Sequence, residues 1–579
     1  MVNEIQKSGR KLARRFSRFS KKATIESREH IEENIVKRIS HVRDVRLNII
    51  EWLLLVISIT LLAITQSHWY SDSYSVSTFT SGGAFTEGTL GKISTLNPLF
   101  ASTNSEKTLS RLLFSSLSEN DYSGHAGLGL ADSIVPSEDG KIWTVHLRDN
   151  LKWSDGEPLT NSDVLFTVKL IKNASVSTYY SSNLAKVDLT ETENGLLQFE
   201  LASSYGDFAS ALNFPILPEH ILKNIEPKKL AESDFSKNPV SSGAFVFTAS
   251  QPIGTSGENV IYLSANSHYY KGKPMLDSFA VHAFLETDSI LSALNSGSIT
   301  ATVELPSQYS SKVTSPNIYE KRTSIKSGVF AFLNNTSPIL KNKSLRQAIQ
   351  KGINLKEIRE VAGDNLALDY PILSSQISLT SWPELPVYNQ SSAKAMVYDA
   401  GIASDSSPIN LVTINSGVLP LVAESFANNL RDLGFNVELI TYESSQDFIT
   451  NVIRPRNYDI LIYEIDLGAE TDLFPYYHST QISSSGLNLS NYNNSLSNDL
   501  ILAARATTDE NLRNAKYESF LKYWVDDVPA VGLYQSNISY FYNKNSRTFS
   551  ENTVLVVPTD RFTEIEFWSA EKTVLKRTP

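Results

Sequence analysis

Residues 142–169, IWTVHLRDNLKWSDGEPLTNSDVLFTVK, decide the fold of this chain because several local structure signals follow one another at short spacing. Ile142–Leu147 is rich in β-branched and aromatic residues and predicts a strand, and the Asp-Asn pair after it predicts a turn. Leu151–Trp153 predicts a second short strand, which a glycine turn closes. Thr160 stands three residues before Asp163, a variant of the capping box that begins a helix. These parts form a scaffold, with no nucleophile–base pair and no metal-ligand spacing.

The same order of parts resembles a signature segment of the extracellular solute-binding proteins of the peptide/nickel class, family 5. Further segments resemble landmarks of that family, in family order: Gly82–Gly88, Leu96–Pro98, Leu113–Leu117 (a helix in the family), Leu130–Ser133, Ser241–Phe245, Phe332–Asn335 and Leu345–Ile349. Each landmark is weak alone, whereas the ordered set, which extends over residues 80–545, is specific.

The resemblance implies an α/β fold: a two-lobe clamp of the periplasmic-binding-protein-like type II (cluster C), with an extra subdomain in the first lobe. It also implies crossings between the lobes near 306–330 and 536–546, and the returning C-terminal segment has strand character at Val554–Val557. One transmembrane helix is expected before the clamp. The expected domains are a basic cytoplasmic tail at 1–46, the transmembrane helix at 47–66, a Ser/Thr-rich tether at 67–81, the first lobe at 82–327 plus 541–579, and the second lobe at 328–540.

A βαβ unit is predicted within the second lobe from the residues themselves. Ile409–Ile414 has the composition of a strand, a helix that opens at Pro420 carries its apolar side chains on one face, and Gly434 is placed to end that helix. An alternating strand follows, so the two strands are expected to run parallel with a right-handed crossover. Asp459–Ile465 predicts a further buried strand of the same sheet.

The N-terminal region predicts an uncleaved, single-pass membrane anchor. Residues 1–46 contain 13 basic and six acidic residues, and the apolar segment 47–66 that follows has the length of about 20 residues that a helix needs to span a bilayer. The basic side is expected to stay in the cytoplasm, with Trp69 at the opposite interface and the lobes on the outer side. The alternatives are a cleaved signal peptide and a buried core helix.

Composition excludes several classes of function. The chain has no cysteine, so disulfides, thiol catalysis and a lipidated-cysteine anchor are excluded. The whole chain carries −10, so residues 47–579 carry −17, which argues against nucleic acid as a partner. The scattered histidines, together with the absence of a phosphate-binding loop or dinucleotide motif, predict no enzymatic activity, no cofactor and no metal site built by the protein.

The strongest candidate site lies at the end of the strand predicted at Asp459–Ile465. Open α/β sheets bind ligands beyond the carboxyl ends of their strands, which is where Asp466 stands. The resemblance implies that an aspartate there, in the aromatic-x-x-Asp context that Tyr463 begins, pairs with the α-amino group of a peptide. Tyr463 is itself a candidate ligand-binding residue. Glu464 lies two residues earlier on the same strand face, where the family usually has a small or apolar residue. The alternatives are that Asp466 caps a turn and that Glu464 meets a lysine of the protein.

Four further side chains are candidates for the ligand cleft. Glu304 follows a strand that enters the hinge, where family members place polar ligand contacts, and Glu87 is placed in the loop of the first strand. Trp382 is predicted to form an aromatic wall, with the lobe surface as the alternative. Asp472 resembles the family's second acidic position or caps the segment after it. No cation stands out as the partner of a peptide carboxylate.

The resemblance therefore implies a membrane-anchored, monomeric binding protein that captures oligopeptides between its lobes and delivers them to the permease of an ABC importer. Lobe closure about the crossing strands would bury the ligand. The alternatives are a ligand-sensing or scaffold protein that uses the same clamp without transport, and the binding of a metal complex or another small solute.

Overall fold

The computed structural model describes residues 46–576, apart from 177, 179, 185, 255–256, 364, 403–406, 443–444 and 485. The basic tail predicted at 1–46 thus lies outside the described residues, apart from Arg46. The chain divides into two compact units, one formed by Phe79–Lys572 and one formed by Met1–Thr78 with Thr573–Pro579.

Strands and helices are mixed along the described part of the chain, as the predicted α/β class requires. The strands are β1 Ser75–Phe79, β2 Ala84–Leu90, β3 Ser118–Asn120, β4 Ala126–Leu128, β5 Ala131–Pro136, β6 Ile142–Leu147, β7 Val187–Glu191, β8 Leu197–Leu201, β9 Phe245–Ile253, β10 Glu258–Ala265, β11 Ser278–Phe284, β12 Ala301–Thr302, β13 Ile318–Leu333, β14 Leu366–Ala367, β15 Ile409–Ile414, β16 Val437–Tyr442, β17 Ile460–Asp466, β18 Ala530–Asn543 and β19 Lys572–Lys576. The α-helices are α1 Arg46–Tyr74, α2 Asn104–Leu113, α3 Asn161–Ile171, α4 Ser181–Leu184, α5 Phe208–Ala211, α6 Glu219–Leu222, α7 Thr287–Ser296, α8 Lys343–Gly352, α9 Leu355–Ala362, α10 Gln390–Asp399, α11 Leu419–Leu433, α12 Ser445–Phe448, α13 Phe474–Tyr477, α14 Ser495–Arg505 and α15 Glu510–Asp527.

In the smaller unit, the helix α1 is long and apolar enough to cross a bilayer. Its segment Ile50–Ser67 has a mean hydropathy of 1.8, and none of that segment is buried against protein. The helix does not stop at Gln66, where the transmembrane segment was predicted to end, but continues to Tyr74, and β1 follows it. The tether predicted at 67–81 was therefore wrong in its secondary structure. Extending an existing helix fixes one residue per hydrogen bond, so a Ser/Thr-rich composition does not end it.

The segment that opened the sequence analysis folds largely as predicted. The strand β6 has the predicted bounds, and Asn150 adopts a left-handed turn conformation with φ 59°. The helix α3 begins after Thr160, whose backbone N–H donates to the Asp163 carboxylate at 2.9 Å. The prediction of a second short strand at Leu151–Trp153 was wrong, because pairing there is limited to one β-bridge between Lys152 and Pro158. Proline has no N–H with which to continue a ladder.

An 11-stranded mixed sheet is the backbone of the larger unit within the described residues. Its order is β16-β15-β17-β13-β18-β12-β2-β11-β10-β9, with β14 paired beside β18. The two long strands β13 and β18 run antiparallel to each other through the middle of the sheet. Residues 325–333 of β13 are buried without alternation, as expected for a strand that is covered on both faces.

Two hydrophobic cores lie on either side of this pair of strands. We use "first lobe" for the part that packs around the core formed by Phe85–Ile325 together with Tyr540–Trp568, and "second lobe" for the part around the core formed by Val329–Tyr534. The first lobe also contains a four-stranded antiparallel sheet, β5-β6-β8-β7, which is the extra subdomain that the resemblance implied.

The predicted βαβ unit of the second lobe is present. The strands β15 and β16 pair in parallel and α11 connects them, ending at Gly434 with φ 103°. The strand β17 runs parallel to β15 and is shifted by one residue from its predicted bounds. The strand β17 therefore ends with Asp466 at the carboxyl edge of three parallel strands.

Two other predicted elements were wrong. The segment Leu113–Leu117 does not form a helix, since α2 ends at Leu113, whose carbonyl accepts N–H groups from Ser242 and Gly243. Val554–Val557 forms a single bridge, from Leu555 to Ile325, in place of a strand. Its N–H groups at Val556 and Val557 are held by the Asp560 carboxylate, at 3.1 and 3.0 Å, and are not available to a ladder.

Candidate functional site

A cavity of about 850 Å³ lies between the two lobes of the larger unit. The first lobe contributes the segment around α2 and residues 556–561, and the second lobe contributes the end of β17 and the loop before α11. The middle of the crossing strand β18 also lines the cavity. This volume is in the upper part of the range of ordinary ligand pockets. Both the cavity's position and its size suit a solute held between two closing lobes.

Two carboxylates project from the end of β17 into this cavity. Asp466 and Glu464 alternate along the strand, so they share one face and are about 7 Å apart along its axis. The hydroxyl of Ser327 donates to Asp466 Oδ1 at 2.9 Å, and Glu464 is hydrogen-bonded to Ser536. Among the residues that the structure describes, neither carboxylate pairs with a lysine or arginine, so both charges remain available to a ligand.

The surroundings of Glu464 disfavour its ionised form. Burial raises the pKa of Glu464, a hydrogen bond with Ser536 opposes the rise, and the charge of Asp466 adds to it. The predicted alternative, in which Glu464 meets a lysine of the protein, does not occur within the described part of the chain. A cation placed between these two carboxylates would relieve both the burial and the repulsion.

Glu304 lines the first-lobe side of the cavity. Its Oε2 accepts a hydrogen bond from the Asn104 side chain at 3.0 Å, and burial raises its pKa. Glu304 and the β17 pair thus reach one cavity from opposite lobes, and their roles toward a ligand stay predictions.

Glu87 lies elsewhere than predicted. It stands in the middle of β2, not in a loop, and it is fully buried behind the cavity wall. Its Oε1 accepts from Arg561 Nε at 2.9 Å and also from Nη2, while the Tyr540 hydroxyl reaches Oε2 at 3.3 Å. Glu87 therefore positions Arg561, which lines the cavity, and contacts no cavity space itself.

The two aromatic candidates are not among the lining residues. The ring of Tyr463 packs on Phe448 with centroids 5.4 Å apart, on the core side of the strand. Trp382 packs on Tyr370 at 4.8 Å, and the Tyr370 hydroxyl donates to the Pro383 carbonyl at 2.5 Å. Tyr463 alternates with Glu464 along β17, so the strand that turns the carboxylates toward the cavity turns this ring toward the core.

Sequence reasoning missed the basic residues of the cavity. Lys107, Arg111 and Arg561 line it, all from the first lobe. Arg111 pairs with Glu119 at 2.9 Å and Arg561 with Glu87, whereas Lys107 is exposed and has no acidic partner in the described part of the chain. Nothing in the local sequences of these three residues distinguishes them from the other lysines and arginines of the chain.

The lobes contact each other around the cavity through polar groups. The buried ammonium of Lys326, on β13, donates to the carbonyl of Gly124 in the first lobe and of Ala469 in the second, each at 2.7 Å. The β13–β18 register shifts between Ser324 and Gly328, so a bulge places Lys326 at this junction. Lys326 therefore joins the two lobes at the crossing strands.

A second contact between the lobes joins the extra subdomain to the second lobe. Arg513 pairs with Asp207 at 3.0 Å, and the Arg505 guanidinium lies 4.2 Å over the Tyr205 ring. Arg505 also pairs with Asp472 at 3.3 Å. Asp472 accepts from the Phe474 N–H at 3.1 Å, so it caps the following turn as the alternative for this residue stated.

Comparison with protein families gives an independent view of the chain. The model described as bacterial extracellular solute-binding proteins, family 5 Middle, matches residues 127–484, more than half of the chain. The oligopeptide-binding protein AppA of Bacillus subtilis is 25% identical over 480 residues, which cover 79% of this chain and 87% of that protein. The probable D,D-dipeptide-binding periplasmic protein DdpA of Escherichia coli is 24% identical over 480 residues, with 80% and 90% coverage.

Solved structures show the same fold. The B. subtilis AppA structure, determined in complex with a nonapeptide, superposes with a TM-score of 0.70 at 23% identity and covers 85% of this chain and 99% of that one. The NikZ structure from Campylobacter jejuni, in complex with Ni(L-His), gives a TM-score of 0.68 at 20% identity, with 84% and 99% coverage. These likenesses establish the two-lobe type II binding-protein fold, and the ligands differ between the two neighbours.

Proposed function

Because this chain belongs to the bacterial extracellular solute-binding proteins of family 5, we propose that it captures oligopeptides in the cavity between its lobes and delivers them to an ABC importer. The observation that carries the proposal is the pair of unpaired carboxylates, Asp466 and Glu464, at the end of β17. A positively charged amino terminus is the peptide group that such a site binds.

The mechanism assigns a separate role to each part of the cavity. Asp466, held by Ser327, fixes the ammonium group of the ligand from the second lobe. Lys107, exposed on α2 of the first lobe, is the cation free to meet a carboxylate of the ligand. A ligand that contacts both lobes stabilises the closed clamp, which is the form presented to the permease.

The helix α1 anchors the protein in the membrane in this proposal, with the basic N-terminal residues in the cytoplasm and the lobes outside. Its exposed apolar side chains at Ile50–Ser67 and the basic sequence before it support the assignment. The anchor also favours a second candidate function, ligand sensing, because delivery alone does not require a cytoplasmic segment. Copurification of the full chain with permease subunits supports delivery, and copurification with signalling subunits supports sensing.

Native mass spectrometry of the full chain, purified from host membranes in detergent, tests the proposal. We expect a ladder of peptide masses that disappears after denaturation and returns when peptides are added back to refolded protein. Asp466→Asn should lower peptide affinity by roughly 10-fold to 100-fold, since it removes a charge-assisted contact. A single bound mass that does not match a peptide would show that the ligand belongs to another chemical class, and would leave the two-lobe binding mode in place. The intact mass also separates an uncleaved anchor from a removed signal peptide.

A further inference from the structure

The cavity carries more negative charge than one amino terminus can neutralise. Its lining contains three basic residues, Lys107, Arg111 and Arg561, and four acidic residues, Glu304, Glu464, Asp466 and Asp560. Arg111 and Arg561 are engaged by Glu119 and Glu87. Lys107 is therefore the cation of the described lining that remains to balance the four carboxylates.

The four carboxylates differ in how far the protein itself satisfies them. Asp560 accepts from the Asn120 side chain at 2.9 Å and from two backbone N–H groups. Glu304 accepts from an amide, whereas Asp466 and Glu464 each have a hydroxyl partner. The unsatisfied negative charge is thus concentrated in the β17 pair, and for the half-buried Glu464 the lack of a counter-ion is costly.

We propose that Glu464 makes the cleft selective for peptides whose amino-terminal residue is basic, with Asp466 binding the α-ammonium and Glu464 the side-chain cation. This inference rests on the proposed function and deepens it. The two carboxylates lie about 7 Å apart along one strand face, and an extended lysine separates its two ammonium groups by a comparable distance. One amino-terminal lysine or arginine can therefore neutralise both carboxylates at once.

Calorimetric titration of the full chain in detergent with two synthetic peptides tests the inference. The peptides are Lys-Ala-Ala-Ala and its neutral counterpart norleucine-Ala-Ala-Ala, and the proteins are the wild type and Glu464→Gln. The wild type should bind the lysine peptide about 10-fold more tightly than the norleucine peptide, because a hydrogen bond to a charged group contributes that much. Glu464→Gln should bind the two peptides within about twofold of each other.

The selectivity is read as the ratio of the two dissociation constants within each protein, and a cooperative unfolding transition of Glu464→Gln without ligand serves as the control for folding. A wild type that binds both peptides equally would overturn the selectivity and leave peptide binding in place. The same would follow if Glu464→Gln kept the full preference for lysine. If neither peptide binds to any form of the protein, the proposed function itself fails, which is a distinguishable result.

Discussion

Glu87 and Glu464 are glutamates next to the same cavity, one in each lobe; Glu87 is fully buried, Glu464 is half-buried, and their surroundings are opposite. Glu87 forms an ion pair with Arg561 and accepts a hydrogen bond from the Tyr540 hydroxyl. Glu464 has a hydroxyl partner and the like charge of Asp466 nearby. The difference separates a carboxylate that supports the wall from a carboxylate that is left available for a ligand.

The location of the counter-ion decides the role. Arg561 is 474 residues away from Glu87 in the sequence and closes over it from the returning C-terminal segment. For Glu464, the described chain supplies no cation, and in our proposal the ligand brings one. Removing the charge of Glu87 should therefore destabilise the protein, whereas removing the charge of Glu464 should stabilise it.

The largest expected effect is that of Glu87→Gln. This substitution keeps the shape of the side chain but leaves Arg561, which is 1% exposed, as a buried cation without a counter-ion. Breaking one side of a buried pair destabilises a protein by about 3–5 kcal/mol. Urea-induced unfolding followed by tryptophan fluorescence measures the loss of free energy of unfolding. Trp568 is a suitable reporter because its ring centroid lies 5.3 Å from that of Phe85, which is on the same strand as Glu87.

The matched control for this experiment is the double variant Glu87→Gln with Arg561→Gln, which removes both charges. It should recover part of the lost free energy of unfolding, because no unpaired ion remains buried. If Glu87→Gln alone leaves the free energy of unfolding unchanged, Glu87 does not carry the wall and the contrast with Glu464 fails.

The part of the site that the sequence predicted is the part that local patterns specify. Asp466 and Glu464 follow from a buried strand in a parallel sheet, because such strands end at one edge and their side chains alternate. The wall behind Glu87 could not be predicted, since Arg561 comes from a distant segment with no pattern of its own. Trp382 was predicted in the cleft because a sequence shows that a residue is aromatic but not which side of its loop packs into the core. The position of Tyr463 was predictable, since alternation with Glu464 and Asp466 puts it on the opposite face.

The fold was predictable for a similar reason. The capping box at Thr160 and the glycine after α11 set their helix boundaries locally, and both were confirmed. Val554–Val557 failed because a carboxylate three residues further on, Asp560, takes the N–H groups that a strand needs. Strand propensity does not count such side-chain competition for the backbone.

A smaller effect of the opposite sign is expected for Glu464→Gln. Burial raises the pKa of Glu464 above its unfolded value, so the protonated residue is favoured in the folded state. The contribution of Glu464 to the free energy of unfolding is therefore fully present below the unfolded pKa, near 4.3. It is lost as pH rises through the folded pKa. The variant, which cannot ionise, should be as stable as the wild type at pH 4 and more stable at pH 7 by roughly 0.5–2 kcal/mol.

Paired unfolding measurements on the wild type and Glu464→Gln at pH 4, 5.5 and 7, without ligand, give this difference directly. A variant that is less stable than the wild type at pH 7 would mean that the protein supplies a favourable partner to Glu464. The glutamate would then belong with Glu87 as part of the scaffold, and the proposed selectivity would lose its basis.

The smallest effect concerns a third carboxylate, Asp207, whose partner Arg513 belongs to the other lobe. Their ion pair at 3.0 Å joins the lobes without belonging to either core, so we expect Arg513→Gln to weaken closure more than folding. A pair of this kind contributes up to about 1 kcal/mol, which corresponds to an increase of up to about fivefold in the Kd for peptide at pH 7.5.

The pH dependence and a control variant distinguish this contact from a general effect of lost charge. Burial raises the pKa of Asp207 to about 6, even though Arg513 opposes the rise, so the ion pair weakens below that pH. Calorimetric titration with a binding peptide should therefore show the difference between Arg513→Gln and the wild type narrowing at pH 5. Arg431→Gln removes an arginine that pairs with Glu424 within α11 of the second lobe, and it should leave the Kd unchanged. Of the two substituted arginines, Arg513 reaches across to the other lobe and Arg431 does not. An equal increase in Kd for both variants would therefore assign the effect to overall charge.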